Sequence, residues 1–259
     1  MRDVTRIRPR FVERVWGRTD LAPLWGKQDR KIGEVWFELP DDYPLLVKFI
    51  FTEERLSIQV HPDDDYARQH EGSRGKTEMW YILSAEPGAT VALGFREAVT
   101  ADQVRRSIAD GTIEQLLNMM PVKPGDALHT QCRTIHAIGA GVALCEIQQN
   151  SDVTYRLYDY GRQRELHVEK GLEVLNLEPY DGRRELPVRS EYYTTELLDT
   201  EADTSSFDEH REHLLICLSG SGRVSEEQYQ PGEVFRISAG QELLPMHPAA
   251  PSHFLRTRP

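Results

Sequence analysis

Two neighbouring segments of the chain indicate its class of secondary structure. They are Pro44-Leu45-Leu46-Val47-Lys48-Phe49-Ile50-Phe51 and Leu56-Ser57-Ile58-Gln59-Val60-His61. The first is a short apolar run bounded by turn-forming residues, which predicts a strand buried on both faces. The second alternates, so that its apolar side chains share one face while Ser57, Gln59 and His61 share the other. We therefore predict two strands, one of which has a polar face.

Most of the remaining chain repeats this pattern of short strands separated by Gly, Pro and Asp. Further strands are predicted at residues 79–83, 90–94, 142–147, 213–218 and 234–237. Turns are predicted at residues 124–126, 219–222 and 231–233. Many short strands at regular spacing are typical of an all-β sandwich or barrel, and jelly rolls are one such solution.

The pattern changes in one region. Thr100 is a capping residue followed by a helical pattern that ends near Ala109, and residues 113–119 are expected to form a second short helix. The β pattern of the first half returns after residue 180 or so, which suggests two barrels. The fold class predicted is therefore all-β, with two jelly-roll barrels and a short helical insertion in the first.

A domain boundary is predicted near residues 178–190, where charge and proline accumulate. This divides the chain into residues 1–180, which contain the polar-faced strand, and residues 181–259. The C-terminal part has no Gln–His pair followed by a suitable Glu, so we predict that it binds no metal. Its histidines are His210, His213, His247 and His253.

Composition narrows the possible partners and location. The 259 residues have a net charge of -11, which disfavours nucleic acid as a partner but leaves room for a local phosphate pocket. No stretch approaches the ~20 apolar residues that span a bilayer, and the charged start lacks the apolar core of a signal peptide. The three cysteines show no disulfide pattern. We therefore expect a cytoplasmic protein with reduced thiols and no membrane partner, whereas the sequence does not indicate an oligomeric state.

Four polar residues form a candidate metal set. Gln59 and His61 lie two apart on a predicted strand and so point to the same side, Glu78 opens the following strand, and His136 comes after the turn at residues 124–126. Neutral imidazoles and a carboxylate suit a divalent transition metal such as Zn²⁺, and Gln59 can add a carbonyl oxygen. Spacing alone is weak support, because a lone histidine on a strand is more often a surface or hydrogen-bonded core residue.

Several blocks of sequence resemble the type I mannose-6-phosphate isomerases. They occur in order over roughly residues 10 to 175, and so many ordered blocks are not expected by chance. The most specific is the run at residues 146–160, which includes Asp152 and Arg156. The others include Val15-Trp16-Gly17, Gly33-Glu34-Val35-Trp36, Gln59-Val60-His61-Pro62-Asp63-Asp64, Gly75-Lys76-Thr77-Glu78-Met79-Trp80-Tyr81 and His136-Ala137-Ile138-Gly139-Ala140-Gly141.

The resemblance implies a fold, a cofactor and a reaction. It implies two cupin-type jelly-roll barrels and one bound divalent metal ion, usually zinc. It implies interconversion of mannose 6-phosphate and fructose 6-phosphate, so the partner is a phosphorylated hexose. Transferred to the matching positions, the metal ligands are Gln59, His61, Glu78 and His136.

The same resemblance implies residues beside the substrate, and these are Lys76, Arg156 and, less directly, Asp152. Isomerisation moves a proton between C1 and C2 through an enediol, and a metal stabilises the oxyanion that develops. Arg156 suits either that oxyanion or the phosphate, because its guanidinium binds both kinds of group. The base remains open among Lys76, Asp152 and a metal-bound water.

Two departures from the family pattern leave alternatives open. Arg133 stands where the family usually has glycine, which restricts the backbone if a positive φ is required and adds a charge near the metal. The stretch between Trp36 and Pro44 is also shorter than in typical members. One alternative is therefore a non-catalytic, sugar-phosphate-binding or regulatory cupin. Another is a metal-dependent cupin enzyme of a different class, such as a dioxygenase, although Gln59 in place of a third histidine argues against it.

Overall fold

The apolar run after Pro44 forms a strand, Leu45–Phe51, in which all seven residues are buried. This result comes from a computed structural model, which describes residues 3–203, 211–240 and 244–259. Side chains on a strand alternate between two faces, so complete burial requires that other layers of the protein cover both sides. The strand predicted here is confirmed, and the layers around it explain its composition.

The described residues form 19 strands and three α-helices. The strands of the first half are β1 (Val4–Ile7), β2 (Pro9–Asp20), β3 (Lys27–Phe37), β4 (Leu45–Phe51), β5 (Ile58–Val60), β6 (Glu78–Ala85), β7 (Thr90–Phe95), β8 (Leu117–Pro121), β9 (Ala127–Thr130) and β10 (His136–Ile138). Those of the second half are β11 (Val142–Gln149), β12 (Tyr155–Tyr158), β13 (Arg183–Arg184), β14 (Val188–Arg189), β15 (Thr194–Thr200), β16 (His213–Val224), β17 (Glu227–Tyr229), β18 (Val234–Ile237) and β19 (Met246–Arg258). The helices are α1 (Asp64–His70), α2 (Ala101–Ala109) and α3 (Val168–Val174), with a 3-10 turn at Ile113–Leu116.

Two antiparallel sheets enclose the first interior. Sheet 1 has the order β13-β9-β6-β11-β4-β3-β2, and sheet 2 has the order β12-β5-β10-β7-β8. A continuous apolar cluster between them includes Trp16, Ile50 and Trp80 from the side of sheet 1, and Leu93 and Ile138 from sheet 2. The polar-faced strand β5 lies near one edge of sheet 2, so its polar face can contribute to this interior.

Sheet 3 covers the opposite face of sheet 1. Its order is β1-β18-β16-β19-β15-β14, with β17 paired to β16. One apolar cluster joins Val47 and Phe49 of β4 to Leu214, Ile216 and Leu255 of sheet 3. The central strand β4 is therefore buried on both faces, because sheet 2 lies over one face and sheet 3 over the other.

Helices cover the outer face of sheet 2. Val104 and Ile108 of α2 pack in the same cluster as Ile58, Val60 and Leu157. The cap predicted for α2 is confirmed, because the Thr100 side chain accepts from the Gln103 amide while the Gln103 side chain accepts from the Thr100 amide. The short helices α1 and α3 were not predicted, since seven residues give too little periodicity.

Two predicted local structures are wrong. The turn expected at residues 219–222 lies inside the long strand β16, which stays paired with β19 through three shifts of register. Gly220, at a φ of 89°, allows the strand to bend there without ending. The helix expected at residues 113–119 is one 3-10 turn followed by β8, because pairing with β7 extends the chain from Leu117 onwards.

The all-β class is confirmed, and the grouping of the sheets is compatible with two jelly-roll barrels. The proposed division at residue 180 stays a prediction. Strand β1 pairs with β18 of sheet 3 although it comes from the N terminus, and β13 pairs with β9 of sheet 1 although it follows the division. Among the described residues, no helix is long and apolar enough to cross a membrane.

Removal of the Phe49 ring should destabilise the junction of sheets 1 and 3. Phe49 is fully buried, and its ring centroid lies 5.2 Å from that of Trp25 and 5.8 Å from that of Phe37. We expect Phe49→Ala to lower the free energy of unfolding by about 3–5 kcal/mol, because it leaves a cavity in the core. Urea denaturation measures this, with Val15→Ala, at a side chain that is 62% exposed, as the control. Equal losses in both variants would contradict the layered packing.

Candidate metal centre and active site

The candidate ligands reach the first interior from both of its sheets. His136 begins β10 and pairs directly with Gln59 of β5, and Arg156 of β12 pairs with Gln59 on the other side. Directly opposed residues on neighbouring strands put their side chains on the same face. Glu78 begins β6 in sheet 1, and His61 follows the end of β5. The sandwich thus brings residues from positions 59 to 156 to one place.

Three buried side chains form a compact set of potential ligand atoms. Atoms of His61, Glu78 and His136 all lie within 4.8 Å of one another. His61 Nε2 is 3.6 Å from Glu78 Oε2, and His136 Nε2 is 3.5 Å from Glu78 Oε1. Zinc bonds of about 2.0–2.1 Å in a tetrahedral site separate neighbouring ligand atoms by roughly 3.3 Å. The donor set therefore fits a small divalent cation.

Gln59 completes this set from the side of His136. Its amide nitrogen lies 3.2 Å from His136 Nε2. Rotation of a terminal amide by half a turn exchanges its nitrogen and oxygen, so the carbonyl oxygen can occupy the same point. The structure therefore brings together all four residues predicted as ligands, with Gln59 in a position to offer an oxygen.

The outer nitrogens of both imidazoles are engaged by backbone carbonyls. His61 Nδ1 donates to the Val153 carbonyl at 2.9 Å, and His136 Nδ1 donates to the Thr134 carbonyl at 2.8 Å. A carbonyl can only accept, so each ring carries its proton on Nδ1 and has a lone pair on Nε2. Burial lowers the pKa of His136 to about 4 and that of His61 well below its ordinary value. Both rings are therefore neutral near pH 7, which is the form that binds metals.

The Glu78 carboxylate is the charged member of the set. It is completely buried, and among the described residues neither of its oxygens accepts a geometrically sound hydrogen bond. The Lys76 ammonium approaches Oε2 at 2.9 Å and His61 Nε2 at 3.2 Å. A buried carboxylate requires a compensating cation, because desolvation of an unpaired charge is costly. Both the lysine and a bound metal ion satisfy this requirement.

Lys76 is held in its charged form by the carboxylates around it. Burial alone lowers the pKa of the ammonium, but the neighbouring Glu78 and Glu146 raise it by more, so the net pKa shift is upward. Lys76 precedes the first residue of β6, and its Nζ nevertheless lies 2.9 Å from Glu78 Oε2. The structure therefore places a proton-bearing group directly beside the ligand set.

The charged network extends to two residues that were not among the predicted site residues. Lys48 Nζ lies 3.8 Å from Glu146 Oε1, and Lys76 Nζ lies 4.0 Å from the same oxygen. The Trp80 indole donates to Glu146 Oε2 at 2.9 Å, and Lys48 Nζ lies 4.0 Å from the ring centroid of Trp36. Trp36, Lys48, Glu146 and Trp80 occupy one row of directly paired positions across sheet 1.

A signal for these two residues is present in the sequence. Lys48 is a single charge inside the apolar segment 44–51, and Glu146 lies in the apolar strand segment 142–147. Charged side chains are almost never fully buried unless they are paired. Two lone charges in two predicted core strands therefore indicate a buried ion pair.

Arg156 and Asp152 lie at the edge of the site. Arg156 shares a face with Gln59, and its Nη1 donates to the Glu165 carbonyl at 2.7 Å. Its Nε is buried, without a hydrogen-bond partner among the described residues. The Asp152 side chain is 73% exposed, and its Oδ1 lies 3.9 Å from Lys48 Nζ. Arg156 is therefore beside the ligand set, whereas Asp152 lies at the exposed rim.

Arg133, which stands where glycine is usual, adopts a backbone conformation with a positive φ. Its φ is 68°, in the left-handed region that favours glycine. Its guanidinium is bonded to the Val174 carbonyl and to Asp63. This chain thus accommodates an arginine at the position and engages its charge in specific contacts.

Fold and site together define a cupin-type protein with a candidate centre for a divalent metal. The chain is 34% identical to a probable mannose-6-phosphate isomerase of Bacillus subtilis, GmuF, over an alignment of 298 positions that covers 93% of each chain. Its fold matches the crystal structure of the mannose 6-phosphate isomerase from Bacillus subtilis with a TM-score of 0.88 and 26% identity, over 98% of this chain and 99% of that one.

A zinc-bound mannose 6-phosphate isomerase structure shares the fold, with a TM-score of 0.76 and 17% identity over 98% of each chain. No protein-family model matches the chain. Identity to a curated relative over nearly the full length nevertheless establishes the family: this chain belongs to the mannose-6-phosphate isomerases, a family of aldose–ketose isomerases.

Loss of one imidazole should remove the metal. His136 presents a neutral Nε2 to the candidate ligand set, so we expect His136→Asn to weaken zinc binding by at least about 100-fold. Metal analysis after dialysis against a chelating buffer measures this. His253→Asn is the matched control, because His253 is exposed and pairs with Asp199 on sheet 3. Wild-type zinc content in His136→Asn would exclude the proposed centre.

Proposed function

We propose that this chain interconverts mannose 6-phosphate and fructose 6-phosphate with the help of one bound divalent metal ion, and that this ion is zinc. The proposed ligands are Gln59, His61, Glu78 and His136. The observation that supports this most directly is the buried His–Glu–His set, with neutral imidazoles whose outer nitrogens are held by carbonyls. Membership of the family supports the substrate and the reaction.

The donor set suits zinc in particular. Two imidazole nitrogens, a carboxylate and an amide oxygen are ligands that zinc accepts, and a catalytic zinc keeps room for a substrate oxygen. A metal bound there would supply Lewis acidity that stabilises the negative charge developing on the sugar. The protein residues then have to position the sugar and move one proton.

Lys76 is the group we assign to proton transfer between C1 and C2. The carboxylates around it hold it as an ammonium when no metal is bound, and a bound divalent cation would repel that charge and favour the neutral amine that can accept a proton. Its Nζ is buried and lies within 3.2 Å of two of the proposed ligands. Asp152 is less suited, because its carboxylate is mostly exposed and lies nearest to Lys48. Proton transfer requires a group within hydrogen-bond reach of the reacting carbon or oxygen, and this favours a residue next to the metal ligands.

Arg156 is assigned to the reacting end of the sugar. It lies directly opposite Gln59, and cross-strand partners have Cβ atoms about 4.5–5.5 Å apart. A guanidinium there can donate to the oxyanion that develops during enediol formation. The contact with the Glu165 carbonyl holds one Nη group in place and leaves the remaining donors for substrate.

Lys48 and Glu146 complete the proposed site. Glu146 lies between the two ammonium groups of Lys48 and Lys76, and the Trp80 indole fixes its orientation. We propose that this alternation of charge holds Lys76 in place, with Lys48 as a second ammonium that faces the substrate. Cytoplasmic location and the absence of a nucleic-acid partner remain predictions from composition.

The reaction can be tested by a coupled assay of fructose 6-phosphate formation. The zinc-loaded protein should convert mannose 6-phosphate, and a chelator should abolish turnover until zinc is restored, because the metal stabilises the developing charge. A panel of other aldose 6-phosphates tests the preferred sugar. Tight sugar binding without turnover by the loaded protein would instead support a binding or regulatory protein, and oxygen consumption would support an oxygenase.

Arg156→Ala should separate catalysis from metal binding. We expect kcat/KM to fall by about 100-fold or more, as for loss of an oxyanion donor, while zinc content stays at the wild-type level. Arg105→Ala is the control, because Arg105 is exposed and its ion pairs with Asp102 and Glu169 lie at the surface. Loss of zinc from Arg156→Ala would show that the arginine maintains the metal centre and would contradict its assigned role.

A further inference from the structure

The turn before His136 has an unusual conformation for its sequence. The Thr134 amide donates to the Gln131 carbonyl at 3.2 Å, and Arg133 within this turn has a φ of 68°. The left-handed region is unfavourable for an arginine, because its Cβ approaches the backbone too closely. Neighbouring groups must therefore stabilise this conformation.

The backbone of Arg133 connects two other segments. Its amide donates to the carbonyl of His61 at 2.6 Å, and its carbonyl accepts from the amide of Asn176 at 2.8 Å. His61 is one of the proposed metal ligands, and Asn176 lies just after α3. The turn is thus attached directly to a ligand residue on one side and to a helix end on the other.

The Arg133 side chain bonds to the ends of two helices. Its Nε donates to the carbonyl of Val174, the last residue of α3, at 2.9 Å. Its Nη1 lies 3.3 Å from Oδ2 of Asp63, whose other oxygen caps the start of α1. A positive group at a helix C-terminus is favourable, because the last carbonyls lack partners within the helix. These contacts hold the arginine in its left-handed conformation.

The same turn orients the second histidine. Thr134 directly follows Arg133, and its carbonyl accepts the Nδ1 hydrogen of His136 at 2.8 Å. The direction of that carbonyl depends on the conformation of the turn. Arg133 is therefore bonded to one histidine ligand through the backbone, and the residue that follows it supplies the carbonyl that binds the other.

We propose that Arg133 is a positioning residue for the two histidine ligands, and that its contacts with Asp63 and α3 set their relative placement. The inference rests on the proposed function, since it concerns the same metal centre. A glycine adopts the same backbone conformation without strain but forms neither side-chain contact. The arginine adopts this conformation less easily than glycine, but its side chain links the turn to α3 and to the start of α1.

The test is the Arg133→Gly variant. The two measurements are its zinc affinity and the coordination geometry of its metal centre. We expect the dissociation constant for zinc, measured by chelator competition, to rise about tenfold, because groups that orient ligands typically change metal affinity by 10–100-fold. We also expect the visible absorption of the cobalt(II)-substituted protein to change, since it reports ligand geometry. An unchanged or tighter zinc affinity together with an unchanged cobalt spectrum would overturn the proposal.

A control separates this effect from relief of backbone strain. Ser225 also has a left-handed φ, 53°, but lies between β16 and β17 of sheet 3. Ser225→Gly should leave the zinc affinity and the cobalt spectrum at wild-type values. If Ser225→Gly weakens zinc binding as much as Arg133→Gly does, the effect is general and the positioning role is excluded.

Two further variants keep the proposal testable if Arg133→Gly does not fold. Arg133→Lys keeps the charge but loses the fork that reaches both helices, and Asp63→Asn keeps a capping oxygen but loses the ion pair. We expect each to raise the zinc dissociation constant by a factor of about two to five, below the range for complete loss of such a group. Unchanged affinity in both would overturn the proposal. Absence of zinc binding by the wild-type chain would instead contradict the proposed function itself.

Discussion

The buried Glu78 carboxylate is the constraint around which the site is arranged. It lies between two neutral imidazoles and accepts no sound hydrogen bond from the described residues. An uncompensated charge at this depth would cost several kcal/mol, so positive charge has to be supplied from nearby. The Lys76 ammonium supplies part of it, and a divalent cation bound to the proposed ligands would supply the rest. The same requirement explains why the network continues as alternating charges through Glu146 to Lys48.

The layered architecture makes this burial possible. Sheets 1 and 2 enclose the site, sheet 3 covers the outer face of sheet 1, and helices cover the outer face of sheet 2. Water is thereby excluded from the imidazoles, which lowers their pKa values and keeps them neutral. The sheet that carries Glu78 gains rigidity from being packed on both faces. Sheet 3 thus supports the site although its own core is filled with apolar side chains such as Phe235 and Phe254.

Loop residues supply the contacts that orient the two imidazoles. The carbonyls that hold the two imidazoles belong to Val153 and Thr134, both outside the regular strands. Arg133 shows how a departure from the family pattern can be accommodated, since its left-handed backbone is accompanied by contacts that glycine cannot make. Binding sites are often built in this way, with a rigid scaffold that positions the segments carrying specific contacts.

Local pattern in the sequence was sufficient for the buried strand β4, the capped helix α2 and the all-β class, because each depends on periodicity or on a few adjacent residues. Pattern together with resemblance also selected Gln59, His61, Glu78 and His136 as candidate ligands, and the fold brings these four side chains together. Local pattern failed at residues 219–222, where pairing with β19 overrides the local preference for a turn, and at residues 113–119, where pairing with β7 overrides the preference for a helix. It did not identify the pairing of Lys48 with Glu146. That pair is defined by the register between β4 and β11, nearly 100 residues apart in the chain. Residue types are read from the sequence, whereas burial and register arise only when distant strands pack, and these decide which charges meet.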